Sequence, residues 1–253
     1  MEVVFFALGA IVASFVGVVA ARLYTGHSIV AGRSRCDACN TLLVPHALVP
    51  AISYVLGGGK AQCCGAQIAI VAPLSELLLG ALFVLAYQKL GLHMELLLLL
   101  TALCLLLALV LYDLAHQILP PVLLYPFVAV AGLLSYLTTA STGAFTTALV
   151  VAGVVGLFFL ALHLFSGGRA MGFADAPLAL GLTLLVGPSL AFAGVAFSFW
   201  IGSVIGITLL LQRPPGSRMG VEVPFAPFLA LGFLLAYFII PWNPFYLLTA
   251  ALP

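Results

Sequence analysis

The sequence predicts an all-α fold: a polytopic transmembrane helical bundle of about eight spans, with one cytoplasmic loop subdomain between the first two. Three observations predict it. Of 253 residues, 64% are hydrophobic and 6% charged, whereas a soluble domain carries about 25% charged residues. The apolar residues come in long runs, as in helical membrane proteins, and not in the alternating pieces of roughly ten residues that build a β-barrel. The eight basic residues are also unevenly placed along the chain.

The spans read in order are Val3–Ala21, Ile68–Tyr87, Leu96–Tyr112, Val122–Ala140, Phe145–Phe165, Asp175–Val186, Ser189–Leu211 and Pro224–Pro241. The sixth is short, with "VGPS" as its tight turn into the seventh. No basic residue precedes the first apolar run, so a retained first span is expected rather than a cleaved signal peptide. Trp242 and Tyr246 in the tail suit the headgroup region of the outer interface.

With these spans, Arg22, Arg33, Arg35, Lys60, Arg169, Arg213 and Arg218 all fall on one side, and only Lys89 on the other. Positive-inside bias makes that side cytoplasmic and puts the N-terminus outside. A net charge of +1 gives no footing for nucleic acid. Arg33, Arg35 and Lys60 are expected to meet membrane lipids, each cytoplasmic basic residue contributing about 1 kcal/mol against anionic headgroups.

The long first loop, Arg22 to about Gln67, is the one sizeable soluble piece, and at that size it needs a staple. Four of the five cysteines lie in it: Cys36 and Cys39 in "CDAC", Cys63 and Cys64 in "QCCG". That is metal-like spacing rather than a dispersed disulfide framework. The fifth, Cys104, sits mid-span and reads as a small core residue.

Two carboxylates stand out. Asp113 closes the third span in "LVLYDLAHQILPP", and Asp175 opens the sixth in "MGFADAPLALGL". Both fall on the cytoplasmic side, and ionisable groups at membrane depth are costly and mark function by default. Two such groups brought together cannot both ionise comfortably, the arrangement by which aspartic proteases activate water. The bland alternative leaves each in the headgroup region, with Asp175 as a helix N-cap. Gly167, Gly168 and Gly172 allow close backbone approach before Asp175. Pro120 and Pro121 stop the helix after Asp113, while Pro224 and Pro227 in "VPFAPF" open the last span. Glu76 lies inside the second span, where it is costly and calls for an Arg partner or a polar cavity. His116, three residues from Asp113, reads as a solvated loop residue, and His163 as one that snorkels.

Taken together, these stretches resemble the type IV prepilin peptidases, membrane aspartic proteases of the GxGD type. "ASFVGVVAARL", "GRSRCDAC", "LVPAISYVLGGG", "PLSELLLGALF", "YDLAHQILPP", "GFAD" and "VPFAPFLALG" follow the family's motifs in order. The presenilin-like branch also has a Tyr-Asp first motif, but the loop cysteines and "VPFAPF" favour the prepilin branch. The resemblance implies Asp113 and Asp175 as catalytic residues. Gly172, Ala174, Pro120, Pro224, Phe225, Pro227 and Glu76 are implied as motif support. It divides the chain into residues 1–67, the first span and the methyltransferase-associated loop, and 68–253, the peptidase domain.

The implied partners are single-span prepilin or pseudopilin precursors in a bacterial inner membrane, cut after a short basic leader. The peptidase requires no cofactor. Retention of the N-methyltransferase, with S-adenosylmethionine, is left open. Three departures from the family pattern occur: Ala174 replaces the second Gly, Pro177 replaces a Lys, and Ala61 stands where the second cysteine pair expects its first Cys. A tetrahedral zinc held by Cys36, Cys39 and Cys64 therefore needs a fourth ligand. Cys63 would require a contorted backbone, and His46 and Asp37 are the alternatives. A non-catalytic scaffold, or a transporter relaying protons through Asp113, Asp175 and Glu76, is the competing class.

Overall fold

The computed structural model describes residues 1–26, 28, 36, 38–39, 41–42, 52–169, 171–212 and 223–239. Within these, the helices are α1 (Glu2–Arg22), α2 (Ile52–Leu56), α3 (Val71–Leu90), α4 (Met94–His116), α5 (Pro121–Thr138), α6 (Thr142–Ser166), α7 (Asp175–Val186), α8 (Pro188–Leu211) and α9 (Ala226–Phe238). Each of the eight predicted apolar segments is a helix, so the all-α bundle stands. The tail with Trp242 and Tyr246 lies outside the described residues, as do Arg33, Arg35, His46 and Asp37.

Six of these helices, α1, α3, α4, α5, α6 and α8, are long and apolar enough to cross a membrane. The other two segments read as spans differ. With 12 residues in α7 and 13 in α9, they rise about 18–20 Å at 1.5 Å per residue, short of a hydrocarbon layer about 30 Å thick. Their ends have local causes. Gly187 breaks α7 at φ 87°, and Pro188 opens α8. Pro224 and Pro227 bracket the start of α9.

The chain forms two compact units, Met1–Leu111 and Tyr112–Pro253, with the boundary inside α4. In the first unit, α1 packs on α3, antiparallel, with Phe5 stacked on Tyr87 at 4.6 Å and Gln88 donating to Glu2 at 2.7 Å. Between them the backbones nearly touch. A Cβ on Gly9 would stand 2.8 Å from Gly80 Cα, and one on Gly80 would stand 3.0 Å from the Phe6 carbonyl. Small residues at such crossings let membrane helices gain van der Waals contact that lipid cannot supply. Gly9→Ala should therefore force α1 from α3 and cost about 1–3 kcal/mol, read as a lower melting temperature in lipid. An unchanged melting temperature would show that this contact does not hold the pair.

In the second unit, α7 is the hub, with α5, α6, α8 and α9 packed around it. Nearly all of α7 is buried, including Leu178, Leu182 and Thr183. A helix apolar all round is a core helix or a membrane span, and α7 is packed among four neighbouring helices. Gly181 lets the Phe127 ring of α5 lie against its backbone. Gly232 of α9 meets the Gly194 carbonyl of α8, where an added Cβ would come within 2.7 Å. Ser198 Oγ donates there to the Gly194 carbonyl at 2.7 Å. This close packing holds α7 and α9, whose first residues, Asp175 and Ala226, frame the site.

Candidate active site

Asp113 lies in the last turn of α4 and is 6% exposed. The helix stops just beyond it because Gln117 adopts a left-handed φ of 56°, its N–H closing on the Asp113 carbonyl at 2.7 Å. Pro120 then caps α5 in extended conformation, and Pro121 is its first residue. Pro120 is fully buried, so the short connection is pinned. The side chain of Asp113 faces the backbone N–H of Ala226, the first residue of α9. The first amides of a helix lack intrahelical acceptors and carry the positive end of its dipole. The stretch "VPFAPF" makes this contact: Phe225 occupies the N-cap, and Pro227 sits in the first turn, where a missing N–H costs nothing. Among the described residues, Oδ2 of Asp113 has no hydrogen-bond partner.

Asp175 is the first residue of α7 and is also 6% exposed. It does not act as an N-cap. Ala174 takes that position, and the Asp175 carboxylate reaches back, where Oδ2 accepts from the Gly172 N–H at 2.9 Å. Ala174 has φ −73°, an ordinary conformation for an L-residue, so alanine in place of glycine brings no backbone strain. Gly172 leaves the carboxylate room, since a Cβ there would touch Asp175 Oδ2 at 3.4 Å. The two aspartates belong to one unit, both buried.

The other sequence-singled residues fall less centrally. Glu76 is half-buried on α3 in the first unit. His116 is exposed, with Tyr112 tilted against its ring at 4.5 Å. Cys104 is partly buried in α4. His163 does not snorkel outward. It is half-buried, and its Nδ1 meets the Met171 carbonyl at 2.9 Å. No sequence signal marked this contact, because it depends on how the glycines after α6 turn the chain back.

The loop cysteines converge in the first unit. The ligand atoms of Cys36, Cys39, Cys63 and Cys64 all lie within 4.8 Å of one another. Sulfur separations are 3.8 Å for Cys36 and Cys64, 3.3 Å for Cys39 and Cys63, and 3.9 Å for Cys63 and Cys64. Zn–S bonds of about 2.3 Å in a tetrahedron set sulfurs about 3.8 Å apart, so the four residues fit zinc. Adjacency in sequence does not keep Cys63 out. A tight hairpin runs from the Lys60–Gln67 bridge through Ala61 N–H to the Ala66 carbonyl at 2.8 Å, with Gly65 at φ 73°. The turn supplies the contortion that brings both sulfurs to one side. The Thr41 hydroxyl pulls the Cys39 thiol down to about 6. Donating its S–H to Cys39 and Cys36 pushes the Cys63 thiol up to about 12. Four thiols this close resist sharing their negative charge without a cation.

Comparison with known proteins covers most of the chain. Residues 7–90 match the bacterial peptidase A24 N-terminal domain, and residues 98–210 match the type IV leader peptidase family. A protein named prepilin leader peptidase/N-methyltransferase from Bacillus subtilis is 30% identical, over 92% of each chain. Those of the same name from Myxococcus xanthus and Pseudomonas aeruginosa are 33% and 29% identical, over 81% of this chain and 62% and 71% of theirs. No solved structure matches. Matched along nearly its whole length, with two buried aspartates in one helical unit and a four-cysteine cluster in the other, this chain belongs to the type IV leader peptidase family.

Proposed function

We propose that this protein is an integral-membrane aspartic endopeptidase that removes the short basic leader of single-span prepilin or pseudopilin precursors at the cytoplasmic face of a bacterial inner membrane. The observation that carries the reading is the pair of buried carboxylates, Asp113 and Asp175. Both lie in the same helical unit, and one oxygen, Asp113 Oδ2, has no partner among the described residues. A buried polar atom left unpaired costs about 1–3 kcal/mol, which is the condition of a group kept for a water or a substrate.

The chemistry is general acid–base hydrolysis. One carboxylate accepts a proton from the attacking water as its oxygen bonds to the scissile carbonyl carbon. The other, protonated, delivers its proton to the departing amide nitrogen as the C–N bond breaks. The dyad titrates as a unit, so neither residue alone owns either role. The Ala226 and Gly172 amides hold the two carboxylates in place. The orientation rests on the charge count, seven basic residues against one when all eight apolar segments are counted as crossings. Both aspartates stand at helix ends, Asp113 in the last turn of α4 and Asp175 opening α7, which suits a site at the water's edge better than a midplane relay.

Cys36, Cys39, Cys63 and Cys64 are the residues that would hold zinc, which when bound supplies a structural tie for the first loop. The relatives' names pair the peptidase with an N-methyltransferase. Residues 1–67 are the place for that second reaction, with S-adenosylmethionine as methyl donor, and residues 68–253 carry the peptidase. Leader cleavage depends on neither cofactor. The test is the purified protein in lipid with a single-span precursor, followed by mass spectrometry of both products. Cleavage at the end of the basic leader is the expected result. An inert protein across several precursors would favour the scaffold reading.

A further inference from the structure

We propose that His163 is a positioning residue for Asp175, acting through the single peptide unit between Met171 and Gly172. The imidazole Nδ1 lies 2.9 Å from the Met171 carbonyl oxygen, and the Gly172 N–H of that same peptide donates to Asp175 Oδ2 at 2.9 Å. A carbonyl can only accept, so Nδ1 carries the proton. The connection runs imidazole N–H, carbonyl, amide N–H, carboxylate, with one planar peptide in the middle. Holding the carbonyl fixes the plane of that peptide, and with it the direction of the N–H. Hydrogen bonds in series also polarise one another.

The local sequence explains why a brace is needed. Gly167 and Gly168 take φ 60° and 78° to reverse the chain after α6. Gly172 has no Cβ, which gives the carboxylate its space and leaves the peptide free to rotate. His163 is tied to this loop twice, by its side chain to Met171 and by its backbone carbonyl, which accepts from the Gly168 N–H at 2.9 Å. The Phe173 ring meets the imidazole edge-on at 5.8 Å, and Met171 is buried. A histidine that merely filled space would not need a donor aimed at the carbonyl preceding Gly172.

The inference rests on Asp175 being half of the hydrolytic pair. It is tested with His163→Asn, whose amide N–H₂ can take the place of Nδ1, and His163→Leu, which lacks a donor. Both lose the ring, so they differ mainly in the hydrogen bond. In lipid, His163→Leu should lower kcat for leader cleavage about 10- to 100-fold, the scale of a misplaced reacting group, with KM within about twofold. His163→Asn should recover most of that loss. Hydrogen exchange at the Gly172 amide should speed up in His163→Leu and not in His163→Asn. Equal kcat in the two variants, or exchange at Gly172 unchanged in His163→Leu, would overturn the assignment. If wild type itself cuts no precursor, the peptidase reading fails, and the exchange measurement still decides whether His163 holds this peptide.

Discussion

Asp113→Asn and Asp175→Asn should each lower leader cleavage by about 10²- to 10⁴-fold, the range that positioned acid–base groups contribute. Each amide keeps the shape of the carboxyl but can neither take up nor release the proton that hydrolysis requires. The double variant should be no slower than the worse single one, because residues acting as a unit give non-additive losses. Stability separates this from a folding defect. Asp113 is buried with Oδ2 unpartnered among the described residues. Asp113→Asn removes the cost of burying a charge while keeping an oxygen for the Ala226 amide, so it should melt no lower than wild type while cleaving far more slowly. Cleavage at the wild-type rate by either Asn variant would sink the dyad. A large fall in melting temperature would make Asp113 structural instead.

The second large effect concerns the cysteine cluster. Metal analysis of the purified protein should give about one zinc per chain, and Cys36→Ser or Cys64→Ser should reduce it to near none, since structural zinc needs its four ligands. Cys63→Ser is the discriminating variant. With its sulfur 3.3 Å from Cys39 and 3.9 Å from Cys64, Cys63 is placed to be the fourth ligand, and its loss should then empty the site. Retention of zinc in Cys63→Ser would return the fourth position to His46 or Asp37. Peptidase activity should survive in all three, because the aspartates belong to the other unit. Loss of cleavage along with zinc would mean that the loop is needed for the cut itself.

Much of this was legible from residues alone because hydropathy reports transfer out of water directly. The apolar runs mark every membrane-length helix, and the basic residues mark a side. The rare carboxylates at helix ends, Asp113 and Asp175, mark the candidate site, since composition makes each one expensive. The same signal cannot tell a helix facing lipid from one surrounded by protein. Both are apolar all round, so α7 reads as one more span, and only the structure shows it as the buried hub of its unit. Only the tertiary structure sets the Ala226 amide against Asp113, because a packed helix start 113 residues away leaves no mark in the spacing. Only the hairpin turn around Gly65 admits Cys63 to the sulfur cluster. The peptide between Met171 and Gly172 joins His163 to Asp175 for a like reason: hydrogen-bond geometry is decided by where backbones cross, and sequence separation does not encode it.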